Sequence, residues 1–309
     1  MELKKRRIGT SDLLVSEAAL GCMSLGTEKE KALSLLDEAI DLGINYLDTA
    51  DLYDFGTNEE IVGEAIKNRR QDLILATKGG NRFEKGKSGW DWDPSKAYIK
   101  EAVKQSLKRL QTDYIDLYQL HGGTIDDPID ETIEAFEELV EEGVIRYYGI
   151  SSIRPNVIKE YAKKSNIVSV MMQYSLLDRR PEEWFSLLEE QSISVVARGP
   201  LAKGLLTEKP LSQASAAIQK NGYLQYSFEE LQQIIPSLKK VAYDLSLTEL
   251  SIQYILKHSA VSSVVFGASS VGQLKENIAA ANARSLSDQE VKALTYYTKP
   301  SVYETHRFK

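Results

Sequence analysis

Residues 44–80, INYLDTADLYDFGTNEEIVGEAIKNRRQDLILATKGG, contain two short apolar runs separated by a segment of helical period. INYLD and LILATK have the length and composition of strands, while Ile61, Val62, Ala65 and Ile66 between them share one helix face. LILATK is almost continuously apolar and is bounded by Gly79-Gly80, as expected of a strand covered on both faces of a parallel sheet. Yet it ends on Lys78. An unpaired ammonium is costly to bury, so Lys78 must reach water or find a partner.

The same alternation extends in both directions. AALGC precedes KEKALSLLDEAIDLG, and YIDLYQLH precedes DETIEAFEELVEEG. IRYYGIS, VSVMMQYS, ISVVARG and VSSVVFG each lead into a further helical segment, with VGQLKENIAAAN closing the series. Eight such units with no linker or composition break predict an α/β fold, a (β/α)8 TIM barrel, as one domain over 1–309. Residues 2 to about 17 predict an N-terminal β-hairpin. A doubly wound sheet is disfavoured because CMSLG, not GxGxxG, follows the first barrel strand. The insertion at 203–226, KGLLTEKPLSQASAAIQKNGYLQY, is long, polar and without period. Such an irregular segment is a functional cover or disordered, and its stretch from about Leu205 to Tyr226 is expected to be mobile when empty and to close on a ligand.

Composition narrows the function. The chain of 309 residues is 42% hydrophobic and 27% charged, with a formal net charge of −7. That charge argues against nucleic acid or an anionic membrane as the main partner. MELKKRRIG carries basic residues with no apolar run behind them, so no signal peptide is expected. One cysteine, Cys22, fits a reducing cytoplasm. Three histidines with no His-x-His pair leave a metal-dependent hydrolase or isomerase short of ligands, and no metal site is expected.

In a TIM barrel the chemistry lies at the C-terminal ends of the strands. The second run ends on Asp48, the third on Lys78 and the fourth on His121, and the loop DTADLYDFG returns Tyr53 to the same rim. A lysine held charged by a carboxylate favours ionisation of a neighbouring phenol. Such a tyrosine can give its proton to a carbonyl oxygen as negative charge develops there, with the histidine orienting that oxygen. No strong nucleophile is present, so the missing reagent is an external reductant.

These residues resemble the aldo-keto reductase family over essentially the whole chain. The carrying motifs are INYLDTADLYDFGTNEEIVGEAI, LILATKGG, SLKRLQTDYIDLYQLH, IRYYGISS, GPLAKGLLT and FGASSVGQLKENI, in gapless order. The resemblance is to the bacterial and potassium-channel-β-like branch, which lacks a long C-terminal substrate loop. It implies reduction of small aldehydes and ketones by NADPH/NADP+, with NADH as the other candidate donor, and the catalytic set Asp48, Tyr53, Lys78 and His121. The implied cofactor contacts are Met23, Ser151, Ser152, Gln173, Arg198, Gly199, Leu201, Lys203, Gly204, Ser269, Gln273, Glu276 and Asn277. Lys203 and the GPLAKG amides would hold the pyrophosphate; Ser269 and Gln273 lie near the 2′-phosphate, and Glu276 and Asn277 near the adenine. The resemblance leaves the oligomeric state open. The alternative is a cofactor-binding regulatory module with slow or vestigial turnover.

Four departures stand out. Ser151-Ser152 replaces the family's Ser-Asn. Met171 stands where a glutamine binds the nicotinamide, with Gln173 two residues on and therefore on the same strand face. Arg198 takes the place of a stacking aromatic; it either stacks likewise or turns to an acidic neighbour. Ser269 stands where an arginine would meet the 2′-phosphate. Trp90 and Trp92, after the third strand, are pocket-lining or exposed aromatics.

Overall fold

Eight parallel strands close on themselves in the computed structural model, so no strand of the main sheet has an unpaired edge. Residues 3–84 and 86–307 are described. Glu2, where the expected hairpin begins, and both ends of the expected 1–309 domain lie outside them.

The chain opens with the antiparallel pair β1 (Lys5–Arg7) and β2 (Leu14–Ser16). The barrel strands follow as β3 (Ala18–Gly21), β4 (Tyr46–Asp48), β5 (Ile74–Gly79), β8 (Ile115–Leu120), β9 (Ile145–Ser151), β10 (Ser169–Gln173), β11 (Ser194–Arg198) and β12 (Val261–Phe266). Sequential neighbours pair all round, and β12 closes onto β3. Between β5 and β8 a small ribbon of β6 (Asn81–Arg82) and β7 (Asp91–Trp92) projects from the rim. The outer layer comprises α1 (Lys29–Asp41), α2 (Thr57–Ile66), α3 (Lys96–Leu110), α4 (Ile129–Glu141), α5 (Pro155–Lys164), α6 (Phe185–Glu190), α7 (Ala216–Asn221), α8 (Phe228–Lys239), α9 (Leu247–Leu256), α10 (Val271–Ala281) and α11 (Asp288–Tyr297).

The period of two along each strand produces two cores. On β5, Leu75 packs outward against the helices, while Ile74 and Ala76 join Tyr46, Leu117, Met171 and Val196 inside the barrel. Ile8, Leu13 and Val15 of the hairpin segment belong to that inner cluster and plug the N-terminal end. Arg6 ties the plug in place through Glu17 at 2.6 Å and the Leu256 carbonyl at 2.7 Å. Gly9 is required there: its φ is +50°, and a Cβ would lie 2.4 Å from the Val168 oxygen.

Two expectations need correction. The 203–226 insertion is not irregular, because Leu205, Leu206, Ile218, Tyr223 and Tyr226 are buried and fold it into short helical turns and α7. The helical series does not close with α10 either. α11 follows, started by a capping box in which Ser287 and Glu290 satisfy each other's backbone amides.

Candidate active site

The parity that buries Ile74 and Ala76 also aims the next residue, Lys78, into the barrel mouth. It is 1% exposed and has three partners: Asp48 Oδ2 at 2.7 Å, the Thr49 carbonyl at 2.7 Å and the Tyr53 hydroxyl at 3.3 Å. That answers the question posed by LILATK. Burial works against the ammonium, but the Asp48 carboxylate and Tyr53 outweigh it and hold Lys78 above the ordinary lysine range. Burial also pulls the Asp48 carboxyl upward, with Lys78 and then Gln119 drawing it back. Gln119, the strand partner of Lys78, donates to Asp48 Oδ1 at 3.4 Å.

Tyr53 reaches the lysine through a tight turn. The Thr49 and Asp51 amides continue the β4–β5 ladder onto the Ala76 and Lys78 carbonyls, and Tyr53 N then donates to Ala50 O. Asp54 and Phe55 follow at φ +49° and +51°. Left-handed backbone in non-glycine residues costs about 1–2 kcal/mol each and concentrates where a functional loop is held. His121, one residue past β8, meets the Tyr53 ring edge-on at a centroid distance of 5.8 Å. Burial, then Lys78 and Arg198, push its imidazole down to about 3, so the ring is neutral near pH 7. Its Nδ1 is buried without a partner among the described residues.

The other sequence-derived residues divide among three cavities. Gly199, Leu201, Lys203, Gly204, Gln273, Glu276 and Asn277 line one groove of about 710 Å³, which Lys209 and Gly267 also border. Ser151, Ser152 and Arg198 line a second cavity of about 660 Å³ with Gly122. Gln173 borders a smaller one of about 370 Å³ with Lys203 and Tyr223. Met23 and Ser269 lie outside these linings. Met23 is 66% exposed on a turn whose Ser24 binds the Ala268 amide and carbonyl. Ser269 bonds Gln273 Oε1 from both its amide and its hydroxyl, at 3.0 Å each.

Arg198 does not turn to an acidic neighbour. Its Nη1 donates to Gln173 Oε1 at 3.3 Å, across the register pair Gln173–Arg198, and it has no carboxylate partner among the described residues. Glu276 accepts from Thr248, and Asn277 donates to the Gly267 carbonyl. The two tryptophans differ. Trp90 is 53% exposed, whereas Trp92 donates to Asp127 and covers the space where Gly80 and Gly122 lack side chains.

Several residues escaped the sequence reading: Gln119, Lys209, Arg154 and the tail 301–306. Arg154 and the tail line the cavity that holds Arg198. Among the described residues no group of three or more His, Cys, Asp or Glu side chains is disposed to hold a metal ion. No helix among them is long and apolar enough to cross a membrane.

Comparison with known proteins gives a consistent picture. A model of the Aldo/keto reductase family matches residues 18–298. The uncharacterized oxidoreductase YqkF of Bacillus subtilis strain 168 is 72% identical over 305 residues, covering 99% of this chain and 100% of that protein. The holo form of aldo-keto reductase AKR11C1 from Bacillus halodurans superposes with a TM-score of 0.95 at 63% identity, covering 99% of this chain and 100% of that one. A more distant relative, the NADH-specific methylglyoxal reductase of Escherichia coli strain K12, is 31% identical over 314 residues, covering 93% of this chain and 96% of that protein.

Proposed function

The chain belongs to the aldo/keto reductase family, and on that premise we propose that it reduces small carbonyl compounds to alcohols with NADPH, using Tyr53 as proton donor. Family membership makes it an NAD(P)H-dependent oxidoreductase; the donor residue and the choice of NADPH are the finer reading. One observation carries the role of Tyr53: the Lys78 ammonium lies within bonding distance of both the Asp48 carboxylate and the Tyr53 hydroxyl.

Each residue then has one task. Asp48 keeps Lys78 charged in a site that excludes water. Lys78 stabilises the phenolate left when Tyr53 gives its proton to the carbonyl oxygen. A neutral His121 donates one N–H toward that oxygen and orients the carbonyl. The bound nicotinamide supplies the hydride.

The groove beside the mouth fits such a cofactor. Gly199 and Gly204 both have positive φ and leave backbone close to its floor, and Lys203 and Lys209 present exposed ammonium groups. Among the described residues neither lysine has a carboxylate partner, whereas the neighbouring Glu208 is taken by Lys239 and the Leu247 amide. Lys203, assigned to the pyrophosphate, serves either cofactor; Lys209, uncommitted in the same groove, adds positive charge that favours the extra phosphate of NADPH over NADH. The Escherichia coli relative's NADH specificity makes NADH the competing choice. We read the whole chain as one catalytic domain, and the free Cys22 thiol supports a reducing cytoplasm.

The test is cofactor oxidation over a panel of aldehydes, ketones and dicarbonyls with each cofactor. A kcat/KM at least ~10-fold higher with NADPH is expected, a ratio equivalent to ~1.4 kcal/mol. Tight NADPH binding with no turnover on any carbonyl would instead identify the regulatory module.

A further inference from the structure

The cavity of about 660 Å³ beside the catalytic rim contains charge that the reduction of a neutral carbonyl does not need. Three arginines line it. Arg180 is neutralised, because Asp178 accepts from both its Nε and Nη2 at 2.7 Å. Arg154 and Arg198 are not: among the described residues neither has a carboxylate partner. Arg154 Nη1 donates to the Gly123 carbonyl, which holds the guanidinium on the segment two residues beyond His121. Arg198 has only the Gln173 side-chain oxygen. The one carboxylate in the lining, Glu304, is exposed to water and holds neither arginine.

Tyr303 and Ser301 also line the cavity, but their hydroxyl oxygens are enclosed by protein and do not open onto it. The tail carrying them is firmly held. Asn156 N donates to His306 O at 2.9 Å, Arg307 bonds Glu183, and the Arg180 guanidinium lies 4.7 Å from the Tyr303 ring centre. Ser151, Ser152 and Arg198 in this lining are also implied contacts of the cofactor, but the cavity shares no lining residue with the groove assigned to the cofactor's phosphates, so those phosphates do not account for Arg154.

We propose that the cavity is a subsite for a carboxylate carried by the carbonyl substrate, with Arg154 as its main cation and Arg198 as the second. A guanidinium fork matches a carboxylate in geometry. The favoured substrates are therefore oxo acids whose aldehyde or ketone lies several bonds from the acid group. This inference rests on reading the rim as a carbonyl-reducing site.

The experiment compares 4-carboxybenzaldehyde with benzaldehyde. The expected result is a kcat/KM at least ~10-fold higher for the carboxylate, expressed mainly in KM. Arg154→Met should pull the ratio toward one at an unchanged unfolding temperature, while Arg154→Lys retains part of it. Calorimetric titration of the protein, with and without NADP+, with 4-(hydroxymethyl)benzoate and benzyl alcohol reads the subsite independently of turnover. Equal efficiencies with equal affinities, or a preference surviving Arg154→Met, would overturn the subsite. Tighter binding of the carboxylate with no turnover of either aldehyde would uphold the subsite and overturn the catalytic reading.

Discussion

Lys78 and Lys203 are lysines on the same rim of one barrel, and the fold treats them in opposite ways. Lys78 sits on a strand, buried, with three bonding partners within 3.3 Å. Lys203 sits in a loop turn at φ +58°, exposed and without a carboxylate partner among the described residues. Enclosure makes a charge strong and immovable, because low dielectric amplifies the pair and forbids its separation. Exposure leaves a charge free to meet a ligand, at the expense of screening. On the proposed reading the mouth serves chemistry and the groove recognition, and substitutions in the two regions should fail differently.

The largest effect is expected from Lys78→Met, which leaves Asp48 buried without its cation. Removing one partner of a buried pair destabilises by about 3–5 kcal/mol, and loss of the charge behind Tyr53 should lower kcat by at least ~10²-fold. Urea unfolding and steady-state rates measure the two together. A variant as stable as wild type would mean that the mouth is wetter than the structure indicates. Next comes Tyr53→Phe. It should lower kcat at least ~10²-fold with the NADPH dissociation constant unchanged, because the proposed role of Tyr53 is proton donation alone. Near-normal turnover would transfer that role to His121 or water.

Asp51 sharpens the comparison from within the enclosed region, as a buried carboxyl lacking the close cation that Asp48 has. Its Oδ1 has no partner among the described residues, and burial, then Glu59, hold it well above the ordinary carboxylate range. A folded state that binds the proton more tightly than the unfolded chain loses stability as pH rises from about 4 through the elevated folded value. Asp51→Asn should match wild type near pH 4 and exceed it at pH 8, by ~1.4 kcal/mol for each tenfold difference in proton affinity. Denaturant unfolding at both pH values checks this, and equal gains at both would remove Asp51 as the cause. In the exposed groove, Lys203→Ala combined with Lys209→Ala should raise the NADPH dissociation constant ~10-fold, about 1.4 kcal/mol, with saturated kcat within about twofold of wild type. A loss in kcat instead would mean that the groove also shapes the chemistry.

The same contrast decides what the sequence could reveal. Ile74, Ala76 and Lys78 share a strand face by parity alone, and an ammonium at the end of an apolar run demands a partner. The mouth was therefore legible from spacing and the cost of burial. Gln119 shares the face of Leu117 and could have been found in the same way, though a glutamine in an apolar run carries no comparable demand. α11 also had a readable start in Ser287 and Glu290. The ordered insertion had no such signal, because Leu205, Ile218 and Tyr226 are anchors without a period. Nor did the convergence of Arg154 and Tyr303 on one cavity. Periodicity reports which face a residue takes within its own element, whereas this cavity joins segments about 150 positions apart.

Arg198 stands on the border between the two regions, and its effect should be the smallest. It ends β11 inside the barrel, yet it is half-buried and bonded only to Gln173. We propose that it faces the nicotinamide. Oxidised nicotinamide is cationic and the reduced ring is neutral, so a guanidinium there separates the two forms by charge while still offering a planar surface to a ring. At an effective dielectric of ~20 the repulsion between close unit charges reaches ~4 kcal/mol before solvent screening. If ~1 kcal/mol survives, NADPH is favoured over NADP+ about fivefold and release of the oxidised product is hastened. Arg198→Trp restores an aromatic and removes the charge, so it should lower the NADP+ dissociation constant relative to that of NADPH by about that factor. Fluorescence titration of wild type and variant with both forms measures the ratio. A ratio unmoved by the substitution would mean that the guanidinium does not sense the nicotinamide's charge, and that Arg198 belongs with the substrate cavity alone.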